Sequence, residues 1–134
     1  MRVAMSEVFI THKITIPSLT LNIDDLEKLK LILEKTGSSP SFGIKTVAEE
    51  LDFHDFNSFT KNNWPANINE FTFRTHYTGR RIHGYIQTDN ILGLSNVTIE
   101  NTDRDWISAR VDELKRFFDQ HRNWHNLFKI LNIV

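Results

Sequence analysis

Residues 68–102 constrain the fold of this chain most, because their side chains alternate between apolar and polar through much of that length. A period of two is typical of β-strands that bury one face. Turn-forming residues interrupt the alternation twice, at residues 78–79 and at residues 89–93. The pattern therefore predicts three consecutive strands joined as an antiparallel meander.

The two faces of the predicted meander differ in chemistry. The apolar face, which we expect to form the core, consists of Phe71, Phe73, Thr75, Tyr77, Ile82, Gly84, Ile86, Val97 and Ile99. The opposite face carries the polar side chains that form our candidate binding face: Arg74, His76, Arg81, His83, Tyr85 and Gln87. Residues 71–88 contain no acidic residue, so we expect this face to attract anions.

A further strand is predicted over residues 8–16, where β-branched side chains alternate with polar ones. The alternation places His12 on the core face. We therefore expect a buried, hydrogen-bonded histidine at this position or, as the alternative, a bulge in the strand.

Residues 43–64 have the least regular pattern in the chain. Residues 44–51 are compatible with one strand. Phe53, Phe56 and Phe59 follow at a spacing of three, which fits either a one-turn helix or an irregular packed loop.

Two helices are predicted from apolar stripes at helical spacing. The first begins at Asn22 or Asp24, reaches about Lys35 and ends at Gly37, and its stripe is Leu26, Leu29, Ile32 and Leu33. The second begins at a sequence resembling a capping box, with Thr102 and Asp105 as its two members. Its stripe is Ile107, Val111, Leu114 and Phe118.

These elements predict one α+β domain over residues 1–134, with a mainly antiparallel sheet of four or five strands and two principal helices packed on one face. The length suits a single domain. A net charge of −1 excludes a field over the whole surface that would draw the chain to nucleic acid or anionic lipid, so any such attraction must be local. The absence of cysteine, of a signal peptide and of a long apolar run leads us to expect a cytoplasmic protein without a transmembrane segment.

Residues with catalytic chemistry occur in the sequence, but no catalytic motif does. There is no nucleophile elbow and no glycine-rich phosphate loop among the five glycines. Asp52, His54 and Asp55 form a cluster of potential metal ligands, yet the turn that precedes Phe56 explains them more simply. His121 and His125 have the spacing of a helical zinc pair but lack its adjacent glutamate. We therefore expect no enzymatic activity, no cofactor and no metal.

The candidate binding face suggests two classes of ligand. Arginine side chains bind carboxylate or phosphate with two parallel hydrogen bonds, and Tyr85 and the imidazoles of His76 and His83 could stack on a base. Sheet-face readers of single-stranded RNA use two or three stacking aromatic residues, whereas this face has one tyrosine and two histidines. A solvated sheet face without a ligand is the simpler interpretation.

The C-terminal segment, at about residues 124–134, is unusually apolar for a chain end. Its candidate interaction residues are Trp124, Leu127, Phe128 and Leu131. The segment either packs on its own domain or supplies a homodimer contact or a docking strip for a protein partner. Membrane attachment is a lesser possibility, because Lys129 is its only basic residue.

The sequence thus predicts a non-catalytic interaction or accessory domain that associates with itself or binds a protein partner. Nucleic-acid or nucleotide binding through the candidate binding face is the alternative.

Overall fold

The computed structural model describes residues 8–16, 23–57, 59, 63–65, 68–87 and 95–120. It contains six strands and two helices. The strands are β1 (Ile10–Thr15), β2 (Ser41–Lys45), β3 (Glu50–Phe53), β4 (Glu70–Tyr77), β5 (Arg80–Gln87) and β6 (Asn96–Asn101), and the helices are α1 (Ile23–Leu33) and α2 (Arg104–Gln120). A single 3-10 turn, Glu34–Thr36, extends α1. No helix in these ranges is long and apolar enough to cross a membrane.

The six strands form one sheet in the order β1-β6-β5-β4-β2-β3, and every neighbouring pair is antiparallel. The predicted α+β class is confirmed, and so is the meander, which is β4, β5 and β6. The strand count is higher than the predicted four or five because residues 44–51 contain the turn of a hairpin rather than one strand. The backbone N–H of Thr46 donates to the carbonyl of Glu49 at 2.9 Å and closes that turn between β2 and β3.

Both helices contribute buried side chains to a core on one face of the sheet. The sheet contributes the apolar alternate residues, among them Phe73, Ile82 and Ile99, which are at most 2% exposed. The predicted stripes of the two helices are buried, apart from the half-buried Ile32, and α2 adds Phe117. Gly37 ends the 3-10 turn with φ at 110°, a left-handed conformation that suits glycine.

Two predicted core positions are wrong. Tyr77 is 50% exposed, because it is the last residue of β4 and its ring lies over Gly37 rather than in the core. His12 is exposed although it pairs with the buried Ile99, and the continuous register between β1 and β6 contains no bulge there. Because β1 is an edge strand among the strands that the structure describes, its side chains have a described neighbouring strand on one side only.

The start of α2 also differs from the prediction. Asp103 is the capping residue: its Oδ1 accepts the backbone N–H groups of Asp105 at 3.0 Å and of Trp106 at 3.2 Å. A carboxylate in this position satisfies free N–H groups of the first turn and faces the positive end of the helix dipole. Thr102 therefore lies one residue before the cap.

The aromatic residues after β3 form an irregular packed segment, which was one of the two interpretations of their spacing. Phe53 contacts Phe56 and Phe59 edge-on, with ring centroids 5.1 and 4.9 Å apart. Phe56 also packs on Phe42 of β2, at 4.8 Å. None of the described residues in 54–65 is helical.

Candidate functional site

The helices and the core cover one face of the sheet, and four candidate residues lie together on the other face, on β4 and β5 near the turn that joins them. In the register of β4 and β5, Arg74 pairs with His83, and His76 pairs with Arg81. All four side chains are exposed. The alternation of the sequence therefore places them on one surface, as two guanidinium groups and two imidazole rings on adjacent strands.

These four residues line a depression of about 390 Å³. Ser39, Ser41 and Thr75 complete the part of its lining that the structure describes. Ser41 belongs to β2 and pairs with Arg74 of β4, so the depression spans three strands. We call this feature the basic depression.

Buried hydroxyl groups connect the segment before Ser39 to β4. Thr36 is fully buried, and its hydroxyl donates to the carbonyl of Leu33 at 2.9 Å. The hydroxyls of Thr36 and Thr75 are 2.8 Å apart, and that of Thr75 lies 3.3 Å from the carbonyl of Ser38. Because buried polar groups are costly without partners, these contacts fix the position of the segment that leads into Ser39.

The charge of the depression is only partly compensated. Glu100 of β6 lies 3.5 Å from Arg81, measured between Oε1 and Nη1, and it also accepts a bond from the Thr11 hydroxyl at 3.4 Å. In the described part of the chain, no carboxylate lies within ion-pairing distance of Arg74. An ion pair as exposed as that of Arg81 contributes little to stability, so Arg81 can exchange Glu100 for another anion.

Arg80 belongs to the same basic run but does not join this surface. Its guanidinium carbon lies 5.3 Å from the ring centre of Trp106 on α2, and Arg110 approaches the same ring at 5.6 Å. Cation–π contacts of this kind attach the β4–β5 hairpin to α2. Arg80 is therefore a structural residue.

Tyr85 and Gln87 lie further along β5 and are half-buried. The Gln87 side-chain amide donates to the Tyr85 hydroxyl at 3.0 Å. Neither is among the described residues that line the basic depression. The candidate binding face thus divides into a charged part and a neutral part.

A second, acidic depression of about 180 Å³ lies on the β2–β3 side of the same sheet. Its charged residues are Lys45, Glu50, Asp52 and Glu70, and Gly43 is part of its lining. A Cβ at residue 43 would come within 2.6 Å of the Thr72 hydroxyl, so the glycine leaves room for the side chains above it. The described residues contain no group of three or more acidic or histidine side chains placed to hold a metal ion.

The residues weighed as metal ligands have other roles or lie elsewhere. Asp55 accepts the backbone N–H of Asn57 at 2.9 Å and so forms the turn before the aromatic segment. His54 Nδ1 lies 3.3 Å from the carbonyl of Pro40. His121 and His125 lie outside the described residues, as do Trp124, Leu127, Phe128 and Leu131 of the predicted interaction segment.

Ser39 and Ser41 line the basic depression but are not among the candidate residues predicted from the sequence. Their place beside Arg74 depends on the pairing of β2 with β4, between segments far apart in the chain. No local pattern carries that information.

No protein-family model matches this chain, and no curated protein or solved structure matches it either.

Proposed function

We propose that this protein is a non-catalytic interaction domain that binds an acidic segment of a protein partner through the polar face of its sheet. The observation that carries the proposal is the basic depression, in which Arg74, Arg81, His76 and His83 converge on a surface that the helices leave open. Guanidinium groups bind carboxylates with two parallel hydrogen bonds, which adds geometric selectivity to charge attraction.

A binding role is supported over a catalytic one by the hydroxyls of Ser39 and Ser41. Nucleophilic catalysis by serine requires a base within hydrogen-bond reach of the hydroxyl. In the described structure, the carbonyl of Ser39 accepts a hydrogen bond from the Ser38 hydroxyl at 3.4 Å. No described hydrogen bond joins either serine hydroxyl to His76 or His83.

An acidic protein segment is favoured over a nucleic acid by the rest of the face. Tyr85 is its one tyrosine, and that ring is half-buried with its hydroxyl bonded to Gln87, while the two histidines lie among the arginines of the basic depression. Single-stranded RNA readers use several stacked bases. A long phosphate backbone that crossed the sheet would also meet the acidic depression with Glu50 and Asp52, which would repel it. A short acidic segment avoids both difficulties.

The test measures binding of a fluorescein-labelled oligoglutamate peptide by anisotropy, with the full chain and with the R74A/R81A variant. We expect the variant to bind at least about tenfold more weakly, which corresponds to about 1.4 kcal/mol. The matched control is K115A/R116A, which removes the same charge from exposed positions on α2, across the sheet from the depression. Binding to the full chain should also weaken as NaCl rises.

Two outcomes would contradict the proposal. Equal losses of peptide affinity in R74A/R81A and K115A/R116A would mean that binding depends only on the net charge of the protein. Tighter binding of a single-stranded RNA with the same number of charges, lost in R74A/R81A, would favour nucleic-acid binding by the same face instead.

A further inference from the structure

We infer that the basic depression is a binding site for a phosphate monoester, so that the partner segment is a phosphorylated one. This inference rests on the proposed function, because it names the ligand of the same surface. It follows from the number, arrangement and partial neutralisation of the donor groups.

The basic depression presents many hydrogen-bond donors. Arg74 and Arg81 each offer several N–H donors in a planar fork, and Ser39 and Ser41 each add a hydroxyl. A carboxylate has two oxygens to accept such bonds, whereas a phosphate monoester has three terminal oxygens and a charge near −2 at neutral pH. The donor set therefore exceeds what one carboxylate can use and suits a phosphate group.

The two arginines lie close together on adjacent strands. Arg74 pairs with His83, and Arg81 stands two residues before His83 on β5, so the arginines are diagonal neighbours across the strands. Diagonal neighbours on one sheet face lie about 7–8 Å apart, which is within reach of long side chains. Two guanidinium groups can thus approach one small anion from opposite sides.

The basic depression has room for more than a phosphate group. The depression has a volume of about 390 Å³, which is larger than one inorganic phosphate ion needs and lies within the range of small-ligand clefts of about 300–1,000 Å³. The remaining space accommodates the side chain that carries the phosphate. The open face then lets the rest of the partner segment continue over the sheet.

Glu100 contacts Arg81 and competes with an incoming anion. Its side chain is 19% exposed while that of Arg81 is 49% exposed, so the arginine is more accessible to an incoming anion than the carboxylate is. A dianion attracts a guanidinium more strongly than one carboxylate does at equal distance. Replacing Glu100 by glutamine keeps the side-chain shape and removes this competitor.

The experiment compares two peptides that differ at one position, phosphoserine or glutamate, in otherwise uncharged glycine–serine flanks. Affinity is measured by calorimetry for the full chain and for the variants R74A/R81A, E100Q and K115A/R116A. We expect the phosphoserine peptide to bind the full chain at least about tenfold more tightly than the glutamate peptide, a difference of about 1.4 kcal/mol. R74A/R81A should remove that preference, E100Q should strengthen phosphopeptide binding, and K115A/R116A should leave the preference unchanged.

The outcomes separate this inference from the proposed function. Equal affinity for the two peptides, with both lost in R74A/R81A, would overturn the phosphate site and leave the acidic-segment proposal intact. Weaker phosphopeptide binding by E100Q would also overturn it, and this result does not depend on whether the arginine variant folds. If neither these peptides nor the oligoglutamate peptide binds the full chain, the proposed function fails and the phosphate site fails with it.

Discussion

At the residue scale, the lack of a Cβ at Gly84 makes room for the ring of Phe73. It pairs with Phe73, and a Cβ at residue 84 would lie 2.2 Å from Cζ, 2.5 Å from Cε1 and 2.7 Å from Cε2 of that ring. The phenylalanine ring therefore lies over the glycine backbone. We expect Gly84→Ala to displace the ring and to cost about 1–3 kcal/mol of unfolding free energy, measured from the midpoint of urea denaturation at constant slope.

The control for that change is a double-mutant cycle with Phe73→Leu. Because leucine lacks the ring atoms that meet the new methyl group, the alanine should cost less in the leucine background than in the natural one. Equal costs in the two backgrounds would show that the ring does not cause the loss.

The start of α2 gives a prediction at the scale of an element. Asp103 accepts the N–H groups of Asp105 and Trp106, so Asp103→Ala should lower the unfolding free energy by about 1 kcal/mol. The measurement is the urea midpoint of the variant. Thr102→Ala is the matched control, with an expected change within about 0.5 kcal/mol. A larger loss of unfolding free energy in Thr102→Ala than in Asp103→Ala would instead support the capping box predicted from the sequence.

Elements whose apolar residues recur with a clear period could be predicted from the sequence. The β2–β3 hairpin could not. Its turn contains neither glycine nor proline, and the Thr46 hydroxyl stabilises it by accepting the N–H groups of Ala48 at 3.3 Å and of Glu49 at 3.2 Å. The second strand, β3, has four residues, too few for a period of two to be clear. Because β3 is short and the turn lacks glycine and proline, one continuous strand was the simplest interpretation of these residues.

At the scale of the whole molecule, the two depressions make the polar sheet face bipolar. The basic one lies over β2, β4 and β5, and the acidic one lies towards β3. A short acidic partner segment would be attracted at the basic end of this face and repelled at the acidic end. The overall charge of −1 hides the separation, because it sums over both regions.

Association of whole molecules is the prediction attached to the apolar C-terminal segment. We expect sedimentation to show a larger species for the full chain than for a chain ending at Asn123, because removal of the apolar run removes the contact. The full-length variant L127S/L131S should also lose association, and its near-UV spectrum reports whether the domain stays folded. A monomer in every case would exclude a self-associating segment.

By itself the sequence determined the meander, the two helices and the side of the sheet on which Arg74, Arg81, His76 and His83 lie. These features follow from local periodicity, since neighbouring residues alone set which face of a strand or helix a side chain occupies. Only the tertiary structure decided which strands are neighbours, and with them the pairing of Ser41 with Arg74 and the contact of Glu100 with Arg81. Such contacts join distant parts of the chain, and their energies depend on the packing of the whole domain rather than on any short stretch of sequence.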